Sequence, residues 1–380
     1  MHLKSLTRLR HDLHRIPELG FKEIETKIKV AATLRDLGLE VHENVGVIGV
    51  LKSGNGNKAI ALRAELDALP ISEMSKHDYV SKYSGVMHAC GHDGHMSMLL
   101  GAAVQLAKTR DFDGTVFFIF QPNEEHGLGA RAMINEGVLD RFPVEEIYAI
   151  HNLPGAPLGQ VSTRSGLICS SESLFEINIK GQGGHSAMPQ SGVDAITVGS
   201  ELVQALQTIV SRKIAPGAGT VVSVTEFLSD GQRNILAGYG LLKGDVRTRS
   251  EQNRLSVEAF MRQIATGIGQ AHDACIDVNF KTEFIETINA HLPTSAVLRT
   301  ARAIGLKTID NIEPVSFSED FAHFNNAVPG CLLLMGNGKD GPNGQPLHSN
   351  NYDFNDALLP IGVKFWCALV KDRLPYGSKI

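Results

Sequence analysis

The chain has 380 residues, 43% hydrophobic and 20% charged, enough for roughly two domains of ~100–200 residues, each with its own core. A formal net charge of -5 offers no basic face to a phosphate backbone, which argues against nucleic acid and for a small-molecule partner. No run approaches the ~18 apolar residues of a membrane span, the opening MHLKSLTRLRHDLHRI mixes charge with leucine where a signal peptide would be apolar, and the five scattered cysteines suit reduced thiols, so a cytoplasmic protein without a membrane partner is expected.

Taken in chain order, Leu3, Leu6, Leu9, Leu13 and Ile16 predict a first helix, stopped by Pro17, and Ile24, Ile28, Ala31, Leu34 and Leu37 predict a second. Apolar runs at 59–66, 115–121 and 146–152 read as buried strands separated by helical patterns such as 96–107. That alternation predicts an α/β sheet covered on both faces. Near residue 172 the pattern switches to the apolar/polar alternation of a half-exposed strand. The order strand (173–180), helix (194–211), strand (220–228), strand (240–248), helix (252–270) and strand (275–284) is the ferredoxin-like β-α-β-β-α-β arrangement. The expected architecture is therefore a discontinuous domain, 1–171 and 288–380, with a mixed central sheet flanked by helices, interrupted by an inserted α+β domain at 172–287. A helix at 294–304, a strand at 331–336 and a helix from about 355 complete the first domain.

The densest cluster of ligand-type side chains is MHACGHDGH, residues 87–95, just before the helical run near Met96. Cys90 and His92, two apart on an irregular turn, can face one side, and helix N-terminal amides or a metal would favour the thiolate. An isolated pair of this kind is more often a buried thiol beside a surface histidine. Next, the run FIFQPNEEHGLGA ends a buried strand in Glu124 and Glu125, and the following strand ends in His151. Ligands of α/β sheets collect at the carboxyl ends of strands, so three successive segments delivering Cys/His, Glu/Glu and His to one sheet edge point to a metal site. Two adjacent carboxylates there suggest one ligand and one general base that takes a proton from the attacking water. The residues alone leave open which glutamate does which. Neither a Gly-x-Ser-x-Gly elbow nor a phosphate-cradling GxxxxGK[ST] loop is present.

At these positions the sequence resembles the di-metal amidohydrolases that include hippurate hydrolases, N-acyl-amino-acid deacetylases and indoleacetyl-amino-acid hydrolases, more distantly the aminoacylases and metallocarboxypeptidases. The resemblance spans nearly the whole chain, through 13–26, RAELDALP (63–70), 87–103, FQPNEEHGLGARAMI (120–134), HNLPGAPLG (151–159), GQGGHSAMP (181–189), SEDFAHF (318–324) and LHSNNYDFND (347–356). It implies metal ligation by Cys90, His92, Glu125, His151 and His348, with Cys90 bridging two ions where relatives commonly have aspartate, and Glu124 as general base. It further implies that Asp67 assists beside the site, although a turn former before Pro70 reads nearly as well. His185 matches a histidine that stabilises the tetrahedral oxyanion from a partner subunit, and Asn234 falls where relatives bind substrate, although RNILAG lacks the proline usual nearby. Arg247 could meet a substrate carboxylate or simply pair with an acid. The implied activity is hydrolysis of an N-acyl amino acid, with two divalent ions (zinc or manganese, with cobalt or nickel also possible), in a homodimer or higher homo-oligomer whose inserted domain serves as lid and dimerisation surface. A dipeptidase or carboxypeptidase on the same scaffold is the nearest alternative, and a catalytically silent metal-binding protein is the alternative from another class.

Overall fold

In the computed structural model, which describes residues 3–376, the chain divides into two units. Met1–Ile168, Thr287–Glu313 and Glu319–Ile380 form the first, and Cys169–Glu286 with Pro314–Ser318 the second. The first begins with α1 (Leu3–His14), α2 (Ile24–Asp36), β1 (Glu40–Glu43), β2 (Val47–Ser53), β3 (Ala59–Glu65), α3 (His92–Thr109) and β4 (Gly114–Gln121). It continues through α4 (Gly129–Asn135), α5 (Val138–Arg141), β5 (Glu146–Pro154), β6 (Val161–Thr163) and β7 (Gly166–Cys169). The second unit holds β8 (Ser171–Lys180), β9 (Gly184–His185), α6 (Ala195–Thr208), β10 (Val221–Ser229), β11 (Ile235–Leu236), β12 (Tyr239–Thr248), α7 (Glu251–His272) and β13 (Cys275–Phe284). The chain then returns for β14 (Thr287–Asn289), α8 (His291–Ala303), β15 (Thr308–Asp310), α9 (Ala322–Ala327), β16 (Gly330–Gly338) and α10 (Leu358–Arg373).

The first unit is built on a mixed eight-stranded sheet, β1-β2-β4-β3-β5-β16-β6-β15. Its middle four strands, β4, β3, β5 and β16, run parallel, and they are the apolar runs of the sequence, because a strand covered on both faces has no polar side to show. Helix α3 is buried along most of its length because it packs on β3 and is flanked by α1 and α10; this is why its sequence is apolar nearly all round. The hairpin β1–β2 extends the sheet antiparallel beside β4, an addition the sequence reading did not include.

The second unit is a four-stranded antiparallel sheet, β10-β12-β8-β13. Strand β8 buries alternate residues, Phe175, Ile177 and Ile179, as a pleated strand with one covered face must. These pack with Leu202 and Leu206 of α6 and Val257 and Met261 of α7 in a core of their own. Both helices start on side-chain caps: Asp194 accepts from the Ile196 and Thr197 amides, and Ser250 from that of Asn253. No helix among the described residues is long and apolar enough to cross a membrane.

Candidate metal centre

The carboxyl ends of the four parallel strands converge on one cluster. Asp67 follows β3, Glu124 and Glu125 follow β4, His151 lies within β5, and the loop after β16 carries His348. Cys90 and His92 flank Gly91, which caps α3 with φ 92 and ψ 15, a left-handed conformation that favours glycine. A Cβ at Gly91 would also lie 2.5 Å from both Asn152 Oδ1 and Tyr352 Oη. Helix α3 therefore starts at His92 itself, earlier than the apolar pattern near Met96 suggests, and His92 points from its first turn. His348 too has a left-handed backbone, φ 63, and its N–H donates to the Ala89 carbonyl at 2.9 Å. That bond ties the loop beside Cys90 and holds an uncommon conformation for a non-glycine residue.

Two triads share the Cys90 thiol: Cys90, His92 and His151, and Cys90, Glu125 and His348, with the ligand atoms of each within 4.8 Å of one another. Cys90 Sγ is 3.4 Å from His151 Nε2, and His348 Nε2 is 3.5 Å from Glu125 Oε2. His92 Nε2 lies 3.9 Å from Glu125 Oε1 and 4.0 Å from Glu124 Oε2. The imidazoles are oriented from behind: His92 Nδ1–H donates to the Asp67 carbonyl at 2.9 Å and His151 Nδ1–H to the Asn152 carbonyl at 2.8 Å. Each ring thereby turns Nε2 towards the cluster, the orientation a metal-ligating imidazole takes. His92 Nε2 and Glu125 Oε1 are buried with no hydrogen-bond partner. Buried polar atoms are rarely left unsatisfied, and a mixed thiolate, imidazole and carboxylate set at this spacing fits divalent transition ions.

The surrounding charge favours cations. Glu65, Asp67, Glu124, Glu319 and Asp320 are buried, while among the described residues Arg63 is the guanidinium that reaches them, ion-paired to Glu65 and, at 2.9 Å each, to Glu319 and Asp320. Burial and the carboxylates of Glu319, Glu125, Asp320 and Asp67 push Glu124 well above the usual carboxylate range. Burial and the nearby Asp67 charge push Glu125 up to about 7 against the pull of His92. Burial opposes charge on His92, yet Asp67 and Glu65 raise it to about 10, so a proton collects where cation charge is wanted. Without bound cations, burial and the charges of Glu125, Glu124 and Glu65 push the Cys90 thiol well above the ordinary thiol value. Bound cations would reverse that order.

Asp67 serves the cluster from two directions. Its carbonyl takes His92, and its Oδ2 accepts the Glu125 N–H at 3.0 Å. His95, beside the ligand pair in sequence, bonds Glu65 at 2.7 Å and Asn152, and Asn152 Nδ2 in turn donates to Tyr352 at 2.7 Å. His126 is exposed and bonds Asn123. In the second unit His185 of β9 pairs with Ile235 of β11, and Asn234 lies just before β11, its carbonyl accepting the Ser186 N–H at 3.2 Å. The Ala187 N–H donates to His185 Nδ1 at 3.1 Å, which places the proton of the neutral ring on the exposed Nε2. Arg247 is paired with Glu172 at 2.7 Å and Asp245 at 2.9 Å, the structural of its two readings. The sequence reading missed Arg63, Glu319 and Asp320, although an arginine inside the otherwise apolar run AIALRAEL requires buried counter-charges.

A model of peptidase family M20/M25/M40 matches residues 61–372. Over 367 residues the chain is 36% identical to a hippurate hydrolase of Campylobacter jejuni, covering 95% of this chain and 94% of that protein. It is also 36% identical over 368 residues to thermostable carboxypeptidase 2 of Saccharolobus solfataricus, covering 94% and 92%. The crystal structure of the YXEP protein of Bacillus subtilis, described as a dinuclear metal binding peptidase, superposes with a TM-score of 0.85 at 30% identity and covers 98% of each chain.

Proposed function

Because the chain belongs to the peptidase family M20/M25/M40, we propose that it is a metal-dependent amidohydrolase that cleaves the amide bond of N-acyl amino acids to a carboxylic acid and a free amino acid. The observation that carries this reading is the pair of triads sharing Cys90, with Glu124 buried beside them. In this reading Cys90, His92 and His151 hold one ion, Cys90, Glu125 and His348 the other, and zinc or manganese fills both. Two such ions supply Lewis acidity, lowering the pKa of a water towards ~7 and polarising the scissile carbonyl.

The remaining chemistry belongs to the protein. Glu124, whose Oε1 accepts the Asp320 N–H at 3.4 Å, takes the proton of the attacking water and passes it to the leaving amine. Its place, buried beside the two triads, puts it within reach of both the attacking water and the leaving amine. His185 Nε2–H is a donor for the oxyanion, from its own chain or from a partner, and Asn234 contacts the substrate. Asp67 fixes His92 and the Glu125 backbone. The second unit acts as lid and dimerisation surface, and five unbridged cysteines suit a reducing cytoplasm.

The carboxypeptidase relative favours a second reading, a peptidase on the same site. Hydrolysis by the metal-reconstituted protein of a panel of N-acetyl and N-benzoyl amino acids, set against dipeptides and longer peptides, separates the two. Preference for the N-acyl set supports the amidohydrolase, preference for peptides supports the alternative, and inertness to both panels sinks the catalytic reading.

A further inference from the structure

A second set of ligand-type side chains converges between α1 and the segment that joins β3 to α3. His14, Glu73 and His77 each bring one ligand atom to within 4.8 Å of the others. His14 Nε2 is 3.2 Å from Glu73 Oε1, and His77 Nε2 is 3.1 Å from the same oxygen. The spacing is that of neighbouring ligands: bonds of about 2.0–2.1 Å to a tetrahedral zinc set nitrogen and oxygen about 3.3 Å apart.

The hydrogen bonding behind these atoms points the same way. His14 is fully buried, and its Nδ1–H donates to Asp93 Oδ2 at 2.9 Å, the carboxylate–histidine arrangement that orients metal-ligating imidazoles. In the metal-free protein a second proton on Nε2 bridges to Glu73 Oε1 at 3.2 Å, and a cation between these two atoms takes the place of that proton. His77 Nε2 brings a third ligand-type atom to the same oxygen, and its shielded Nδ1 has no hydrogen bond. Stacking on Tyr79 at 3.7 Å fixes its ring. Glu73 spends its other oxygen on the Ser81 N–H at 2.7 Å, leaving Oε1 to the histidines. His88, buried with both ring nitrogens unpaired, stands beside them with its ring 6.2 Å from that of His14.

We propose that His14, Glu73 and His77 form a third divalent-metal site, for a borderline transition ion such as zinc, separate from the Cys90 cluster. Its role is to pin the segment 66–91 to α1. That segment contains neither helix nor strand, yet it carries Cys90 and leads into His92, so an ion there steadies the backbone from which both side chains project. A long irregular segment beside a functional site needs such a constraint.

The full-length protein, stripped with a chelator and dialysed against zinc, is assayed for zinc per chain by mass spectrometry. Wild type should hold one zinc more than His77→Gln, and the same difference of one should appear when His77→Gln is added to a His92→Ala/His151→Ala background, so the result does not depend on the Cys90 cluster. Thermal unfolding should show zinc-dependent stabilisation that is smaller in His77→Gln, with equal melting of the two metal-free proteins. Should His77→Gln fold poorly by circular dichroism, Glu73→Gln replaces it, with the same one-zinc loss expected. Equal zinc content in wild type and the variant, in either background, overturns the proposal.

Discussion

Replacing Glu124 with glutamine separates base chemistry from metal binding. Glu124 is only 5% exposed, and the isosteric amide keeps its volume and an oxygen to accept the Asp320 N–H, so the fold and the two triads remain. What disappears is the proton acceptor. General bases contribute about 10²–10⁴ in rate, which at about 1.4 kcal/mol per decade is about 3–5 kcal/mol of transition-state stabilisation. The loss should fall on kcat, with zinc or manganese content unchanged. Stability should move the other way. The folded carboxyl is raised above its unfolded value by burial and by Glu319, Glu125, Asp320 and Asp67, so its contribution is favourable below the unfolded pKa and is lost as pH rises through the folded one. A neutral amide avoids that loss, and metal-free Glu124→Gln should resist urea better than metal-free wild type at mildly alkaline pH. Steady-state kinetics with metal counted on the same samples is the assay. A variant with full metal and kcat within a fewfold of wild type would refute the assignment of Glu124 as base.

His348→Ala should lose one of the two ions of the Cys90 cluster while changing metal-free stability by less than about 0.5 kcal/mol, because its side chain is 53% exposed; metal counting and urea midpoints check both. Arg63→Met leaves Glu65, Glu319 and Asp320 without their guanidinium, and breaking buried pairs in this way costs about 3–5 kcal/mol, readable as a fall in the urea midpoint. For His14, burial opposes the charge, but Asp93 and Glu73 raise its pKa to about 9. The imidazolium therefore stabilises the metal-free fold fully below about 6.5 and loses that contribution as pH rises through about 9, some 3 kcal/mol in all. Urea titrations of metal-free wild type across that window should show the decline, and His14→Gln should flatten it.

The α/β architecture was legible because strands covered on both faces have to be apolar without interruption, and β3, β4, β5 and β16 all announce themselves that way. Cys90, His92, the glutamate pair and His151 could be placed at one edge for the same reason, since each lies at or just beyond a parallel strand or at the start of the next helix. His348 had no such signal. Its position depends on a left-handed backbone and a hydrogen bond to Ala89, a contact across most of the chain that no local pattern encodes, and only the resemblance through LHSNNYDFND brought it in. The start of α3 was misjudged because polar ligand residues occupy its first turn, where the apolar period is silent. The site formed by His14, Glu73 and His77 was equally hidden, since it joins α1 to an irregular segment without motif spacing.

The central claim is that Cys90 joins two metal ions. A crystal of the zinc-reconstituted protein, with anomalous differences collected on both sides of the zinc edge, tests it most directly. The account predicts two peaks at this cluster, both within bonding distance of Cys90 Sγ, one also ligated by His92 and His151 and the other by Glu125 and His348. A single peak there, or two peaks of which Cys90 touches at most one, would contradict it.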